Sequence, residues 1–486
     1  MKKPFILLLA LVLAAPLSAA GVKKAPKQKT AVWEWMQANS APAIACSGDI
    51  WGHPELGEHE TYSSERLARY LEENGFTIER GVAGIPTAWV AAFTNGTGGP
   101  SIGYLAEFDA LPGLSQEAFC PVRKPLVKGG PGHGCGHSLL GVASSFAAVG
   151  VKKAMIDNNI QGTLRVYGCP AEETLVGKIY MARAGVFNAS QAMLGWHPSS
   201  ENEVSYSSAL AMTSIKFKFF GRTAHAAGDP HHGRSALDAV ELMNIGVNFM
   251  REHVTDKARV HYVITSGGGA PNVVPDVAEV WYFVRAQKTE EQRPILEWVR
   301  QIAAAAAMMT QTRMEENLLS SCYEVLLNDP LALMLQTNLE LVGPPRFDQA
   351  DWEFAREISK TFEKPDSVPL DTTVSKLEIV PQEKWVFGSG STDDADVSWC
   401  VPYGRIATAC NVKGAPGHSW QTVSAAGSPV GMKGMVVAAK ALAGGGIDLF
   451  TDPAWIAKAK ADFIKQLKGR VYKCGVPDSL PPPSQR

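Results

Sequence analysis

Gly132-His133-Gly134-Cys135-Gly136-His137 sets a thiol and an imidazole two positions apart, between glycines. In an extended segment, side chains at i and i+2 point to the same side. Thiolate and imidazole both suit zinc-like divalent ions. Further along come Pro170-Ala171-Glu172-Glu173, Gly195-Trp196-His197-Pro198, and His418 in Ala415-Pro416-Gly417-His418-Ser419-Trp420. Each of these three follows an apolar run that reads as a strand. Two adjacent carboxylates at a strand end repel unless a cation neutralises them. One as ligand beside a neighbour that takes a proton from water is what metal-assisted hydrolysis needs. Cys135, His137, Glu173, His197 and His418 together exceed one tetrahedral catalytic zinc with an open position, and fit two metals with a bridging ligand. Asp109 also follows a strand, where it either orients a ligand histidine or caps a turn.

Each cluster has a plainer explanation. A glycine-rich loop can carry Cys and His by chance, Glu172-Glu173 can be a solvated helix start, and His197 and His418 can be surface residues. A thiol hydrolase with Cys135 as nucleophile and His137 as base is also open, although no orienting acid is evident for it.

The elements that must position these residues follow from periodicity. Strands are expected at 87–93, 101–106, 163–169, 191–195 and 405–410. An amphipathic helix spans 61–74, ended by Asn74-Gly75, and a second helix spans 138–158 with Ser138 as its cap. Strands alternating with helices indicate an α/β fold with a mostly parallel central sheet. Side chains at the carboxyl ends of such strands converge on one crevice.

Near residue 211 the pattern changes. Thr213 to Phe220 alternates polar and apolar, as in a strand with one wet face. A helix (235–253), two strands (259–265 and 278–285), a helix (290–308) and a strand (313–322) follow. This βαββαβ order is ferredoxin-like and is expected as an insertion at 211–327. The flanking segments 28–210 and 328–475 would form the discontinuous catalytic domain. The stretch 361–384 is expected at the surface, and the proline-rich tail 480–483 is expected to be disordered.

The chain has 486 residues and a formal net charge of −2. That balance offers nothing to nucleic acid or to an anionic membrane. Lys2-Lys3, the apolar run Phe5–Ala15 and the small residues after Pro16 have the order of a secretory signal. A signal peptide at 1–20 and a periplasmic or secreted location are therefore expected, with no membrane span after cleavage. The eight cysteines show no disulfide spacing.

On these motifs the chain resembles the zinc-dependent M20 amidohydrolases and peptidases, closest to their aminobenzoyl-glutamate-hydrolase branch. The matching stretches run from Leu105–Ser115 through Gly132–His137, Pro170–Glu173, Gly195–Pro198, Gly221–Ala227 and Gly267–Asp276 to Gly417–Trp420. The resemblance implies a zinc-peptidase-like catalytic domain carrying a lid that dimerises. It implies two divalent ions, zinc first with manganese or cobalt as alternatives. Cys135 would bridge them, with His137 and His197 on one and Glu173 and His418 on the other. Glu172 would be the base that activates water and then protonates the leaving amine. His225 in the lid would stabilise the oxyanion, often across the dimer interface. Asn272 and Arg285 would hold the substrate carboxylate.

The implied activity is cleavage of N-acyl or N-aroyl amino acids, p-aminobenzoyl-glutamate among them. A periplasmic dipeptidase or aminoacylase, and an accessory subunit that needs a second chain, are the alternatives. Two features depart from the family. Glu107 stands where many members have a metal-binding histidine, and a secretory signal is unexpected in this branch.

Overall fold

A computed structural model describes residues 25–482, so the expected signal at 1–20 lies outside the described residues. Eleven strands are present among them: β1 Thr77–Arg80, β2 Trp89–Asn95, β3 Ser101–Glu107, β4 Gly162–Cys169, β5 Ala192–Ser199, β6 Glu203–Val204, β7 Ala211–Phe220, β8 Arg259–Ser266, β9 Val277–Ala286, β10 Arg313–Cys322 and β11 Tyr403–Ala409. Seven of them form one sheet in the order β1-β2-β4-β3-β5-β11-β6, and four form a second in the order β10-β7-β9-β8.

In the larger sheet β4, β3, β5 and β11 run parallel, while β1, β2 and β6 pair antiparallel at its edges. The parallel centre is buried on both faces, which explains its near-continuous apolar sequence. Ile102 and Tyr104 of β3, Leu164 and Val166 of β4, and Leu194 and Trp196 of β5 point into one core with the helices 137–157, 329–342 and 429–451. Alternate residues Leu105, Tyr167 and Met193 point into another with the helices 177–183 and 394–400.

Helix His137–Asp157 is buried along most of its length. It packs closely because Gly141 meets the β3 end, where an added Cβ would lie 2.4 Å from the Glu107 carbonyl oxygen. Its start differs from expectation. Ser138 does not cap it; the residue before the helix is Gly136 at φ 82°, and the Ser138 hydroxyl is buried without a partner. Strand β5 also runs past Gly195 to Ser199, because β11 pairs alongside through Ala407↔His197 and Ala409↔Ser199.

The second sheet is antiparallel throughout, and its order is 4-1-3-2 in the numbering of its own βαββαβ unit. Ser235 caps the helix Ala236–Met250 by accepting from the Asp238 N–H. The helices 236–250 and 289–310 cover one sheet face, where Phe217, Phe219, Val280, Tyr282 and Val284 are buried. Burial of each large side chain contributes about 1.5–3 kcal/mol. A one-residue slip would turn that set outward, so the register is firmly set and the other face is left to Ser214, Trp281, Phe283 and Arg285.

The tail differs from expectation as far as it is described. Arg183 donates to the carbonyls of Pro477 and Leu480, at 2.6 and 2.7 Å, and so ties it to the fold. All eight cysteines are unpaired.

Candidate metal centre and catalytic cavity

Because β4, β3, β5 and β11 are parallel neighbours, their carboxyl ends share one edge. Asp109 lies just past β3, Glu172 and Glu173 just past β4, and His197 near the end of β5. The turn bearing the two glutamates is bracketed by Ala171 at φ 57° and Leu175 at φ 56°. Non-glycine residues adopt this conformation only where surrounding contacts hold them; here Glu60 accepts from the Ala171 N–H at 2.6 Å. The left-handed Gly136 turns the chain so that Cys135 and His137 face the same edge.

Hydrogen bonds fix the histidine tautomers. His137 Nδ1 donates to Asp109 at 2.7 Å, and the other Asp109 oxygen accepts from the Glu173 N–H at 2.8 Å. His197 Nδ1 donates to the Pro198 carbonyl at 2.8 Å. Each ring therefore turns Nε2 inward, where the neutral imidazole offers the lone pair that a metal ligand requires. His197 Nε2 is 3.3 Å from Cys135 Sγ, and His418 Nε2 is 3.7 Å from a Glu173 oxygen. His418 sits at φ 50° on a half-exposed loop.

The donors fall into two triads, Cys135–His137–His197 and Cys135–Glu173–His418, with the ligand atoms of each within 4.8 Å of one another. Cys135 belongs to both. His137 Nε2 and Glu173 Oε1 are buried without a hydrogen-bond partner. Burial pushes the Glu173 carboxyl up to about 8 and the Cys135 thiol up to about 12, and raises Glu172 as well. A crowded set of buried acids, with inward-facing lone pairs and orphaned oxygens, is the chemistry of a site built for cations. The donor set thus fits two divalent ions sharing a thiolate.

Glu107 belongs to a second charge system. Its Oε2 is 3.2 Å from His137 Nε2, and its Oε1 meets Lys178 Nζ at 2.7 Å. Lys178 is fully buried, pairs with Asp393, and lies 3.3 Å from Asp394. The three acids could themselves gather a cation, but the Lys178 ammonium already fills that position.

A cavity of about 570 Å³ opens over these groups. One side carries Glu107, Cys135, Glu172, Glu173, His197 and His418. The other is the free face of the second sheet, with Trp281, Phe283 and Arg285. His225 and Asn272 are not among its lining residues. They are exposed and adjacent at one end of that sheet, joined by Ala226 N–H donating to the Asn272 carbonyl at 3.0 Å and by the His225↔Val273 bridge.

Sequence reasoning missed Lys178, Thr392 and Arg405. A charge in the first turn of the helix 177–183, and another in β11, were the available signals. Thr392 sits in a loop without periodicity and gave none.

Residues 211–309 match the family model described as a peptidase dimerisation domain. The chain is 38% identical over 454 residues to a p-aminobenzoyl-glutamate hydrolase subunit of Escherichia coli (strain K12), covering 89% of this chain and 94% of the relative. It is 28% identical to the Xaa-Arg dipeptidase of Mus musculus, covering 87% and 89%. Among solved structures, an aminobenzoyl-glutamate utilization protein from Klebsiella pneumoniae superposes with a TM-score of 0.61 at 18% identity, covering 85% of this chain and 97% of the other. A Bacillus subtilis protein described as a dinuclear metal binding peptidase from the M20 family gives 0.56 at 19% identity, covering 86% and 99%. At these identities the two structures speak for the fold.

Proposed function

The chain belongs to the M20 family of peptidases and amidohydrolases, and from that premise we propose that it hydrolyses the amide bond of N-acyl or N-aroyl amino acids at a two-metal centre. The observation that carries this reading is the pair of donor triads sharing Cys135, with Glu172 beside them in one cavity.

Cys135, His137 and His197 would hold one ion, and Cys135, Glu173 and His418 the other. Bound there, divalent ions supply Lewis acidity to the scissile carbonyl and lower the pKa of water. Zinc suits the thiolate and imidazoles, while manganese or cobalt suit the carboxylate and imidazoles. Asp109 holds His137 and the Glu173 backbone in place. Glu172 takes the proton from the attacking water and returns it to the leaving amine nitrogen. Burial raises its pKa, which moves it toward the range where a carboxylate serves as both base and acid. The Thr392 hydroxyl supports its charged form.

Arg285 would bind the substrate carboxylate. His225 and Asn272 lie outside their own chain's cavity, which favours a dimer in which a second copy brings them to the site. The Escherichia coli relative is named as one subunit of its hydrolase, which leaves a hetero-oligomer with a different second chain as the other reading. Export remains part of the proposal on the strength of residues 1–20.

The test is cleavage of p-aminobenzoyl-glutamate and a panel of N-acyl amino acids before and after chelation. Chelator-sensitive amide cleavage by the purified chain supports the reading. An inert, metal-loaded chain that gains activity with a second, different chain would move it to the hetero-oligomer.

A further inference from the structure

The geometry points to Arg405 as a second carboxylate-binding cation that acts with Arg285, selecting N-acyl amino acids that carry a side-chain carboxylate, the glutamate and aspartate class. The inference rests on the reading of this cavity as an amide-hydrolase site and names its substrate.

The two arginines reach the cavity from different sheets. Arg285 comes from β9, where period-two alternation places it on the same face as Phe283 and Trp281. Arg405 comes from β11 of the larger sheet, paired with Gly195, two residues before His197. Two chain segments, joined by the Ser208↔Phe387 bridge, contact one arginine each. Arg285 Nη1 donates to the Ser389 carbonyl at 3.5 Å, and Arg405 Nη2 donates to the Ser207 carbonyl at 3.4 Å. Gly388 and Gly390 line the same stretch, and nothing stands within 4 Å of where a Cβ on Gly390 would be.

Both guanidinium groups are short of partners. The Nε atoms of Arg285 and Arg405 are buried and make no hydrogen bond. Arg285 has no ion pair among the described residues. Arg405 has Asp394 at 3.9 Å. That oxygen already accepts from the Tyr403 hydroxyl at 2.5 Å, and Lys178 lies 3.3 Å from its twin. A guanidinium held in a partly dry wall without its bidentate acceptor lacks what its planar fork is suited to bind, a carboxylate. Two such groups over one cavity accommodate a dianionic ligand. Trp281 and Phe283, edge to face at 5.4 Å, line the same wall and offer an apolar surface to an aryl acyl group.

Arg285 is assigned the α-carboxylate, common to every N-acyl amino acid, and Arg405 the side-chain carboxylate. The experiment compares kcat/KM of the metal-loaded enzyme for p-aminobenzoyl-glutamate and its neutral isostere p-aminobenzoyl-glutamine. Wild type is expected to prefer the glutamate conjugate. Arg405→Met should lower that preference about tenfold or more, mainly through KM, and Arg405→Lys should restore part of it. Arg285→Met should raise KM for both conjugates. An unchanged preference in Arg405→Met, with both conjugates losing equally, would show a structural role through Asp394 and overturn the inference. Absence of preference in wild type would overturn it too, with the amide-hydrolase reading intact. Cleavage of neither conjugate, nor of any other N-acyl amino acid, would instead remove the reading on which it rests.

Discussion

Asp109 and His137 are joined by a 2.7 Å hydrogen bond, both fully buried, and the second Asp109 oxygen takes the Glu173 N–H at 2.8 Å. One carboxylate thus orients a donor from each of the two triads that share Cys135. It fixes the His137 tautomer on one side and the Glu173 turn on the other.

Asp109→Asn therefore loses more than a charge. Asparagine supplies one acceptor oxygen where two are used, so either His137 or the Glu173 N–H faces an amide NH2. Partners of this kind typically contribute 10–100-fold to metal affinity or activity. The expected result is a drop of about that size in affinity, measured by competition with a chromophoric chelator, with the far-ultraviolet circular dichroism of wild type. Unaltered affinity would show that Asp109 only completes a turn.

Lys178 is the cation of the neighbouring cluster. Lys178→Met would leave Glu107 and Asp393 buried without their counter-charge. Breaking a buried ion pair from one side costs about 3–5 kcal/mol. Urea unfolding should show a loss of that order. A loss below about 1 kcal/mol would mean that the acids are neutral in the folded protein, and that the cluster is held by hydrogen bonds alone.

Asp396 gives a pH-dependent prediction away from the donor triads. It is buried, accepting from Tyr472 Oη at 2.7 Å and the Tyr323 N–H at 3.1 Å. Burial pushes its carboxyl up to about 7, above the ordinary value of about 3.9 in an unfolded chain. Between those values the folded state binds more protons than the unfolded state. This group's contribution is therefore fully present below about pH 4 and is lost as pH rises through about 7. Asp396→Asn stays neutral throughout. Relative to wild type, its unfolding free energy should rise between about pH 4 and pH 8, by up to about 4 kcal/mol. A difference that is flat with pH would contradict the burial effect.

The sequence was most legible where periodicity and chemistry coincide. The ligand clusters after β4 and β11 and near the end of β5 were visible because a parallel sheet needs apolar strands, and the polar residues at their ends stand out. The second sheet was visible because one of its faces is wet, giving the alternation of β7 and β9. Two kinds of feature were hidden. The helix start at Gly136 depends on a left-handed backbone, and Ser138, a good cap by type, ended up buried. Lys178 and Arg405 are held by partners far away in sequence, Asp393 and Ser207, so no local pattern could announce them. His225 and Asn272 were readable as motif residues, but their distance from the cavity emerges only from the fold.

The central claim is a two-metal centre bridged by Cys135, with Glu172 as the proton-transferring base. The most direct measurement is the metal-to-chain ratio by elemental analysis, taken together with p-aminobenzoyl-glutamate turnover, for wild type and Glu172→Gln. The account predicts two divalent ions per chain in both proteins. It predicts a fall in turnover of at least about 10²–10⁴-fold, the usual contribution of general acid–base catalysis, in the variant alone. Full turnover in Glu172→Gln, or cleavage by a metal-free wild type, would contradict it.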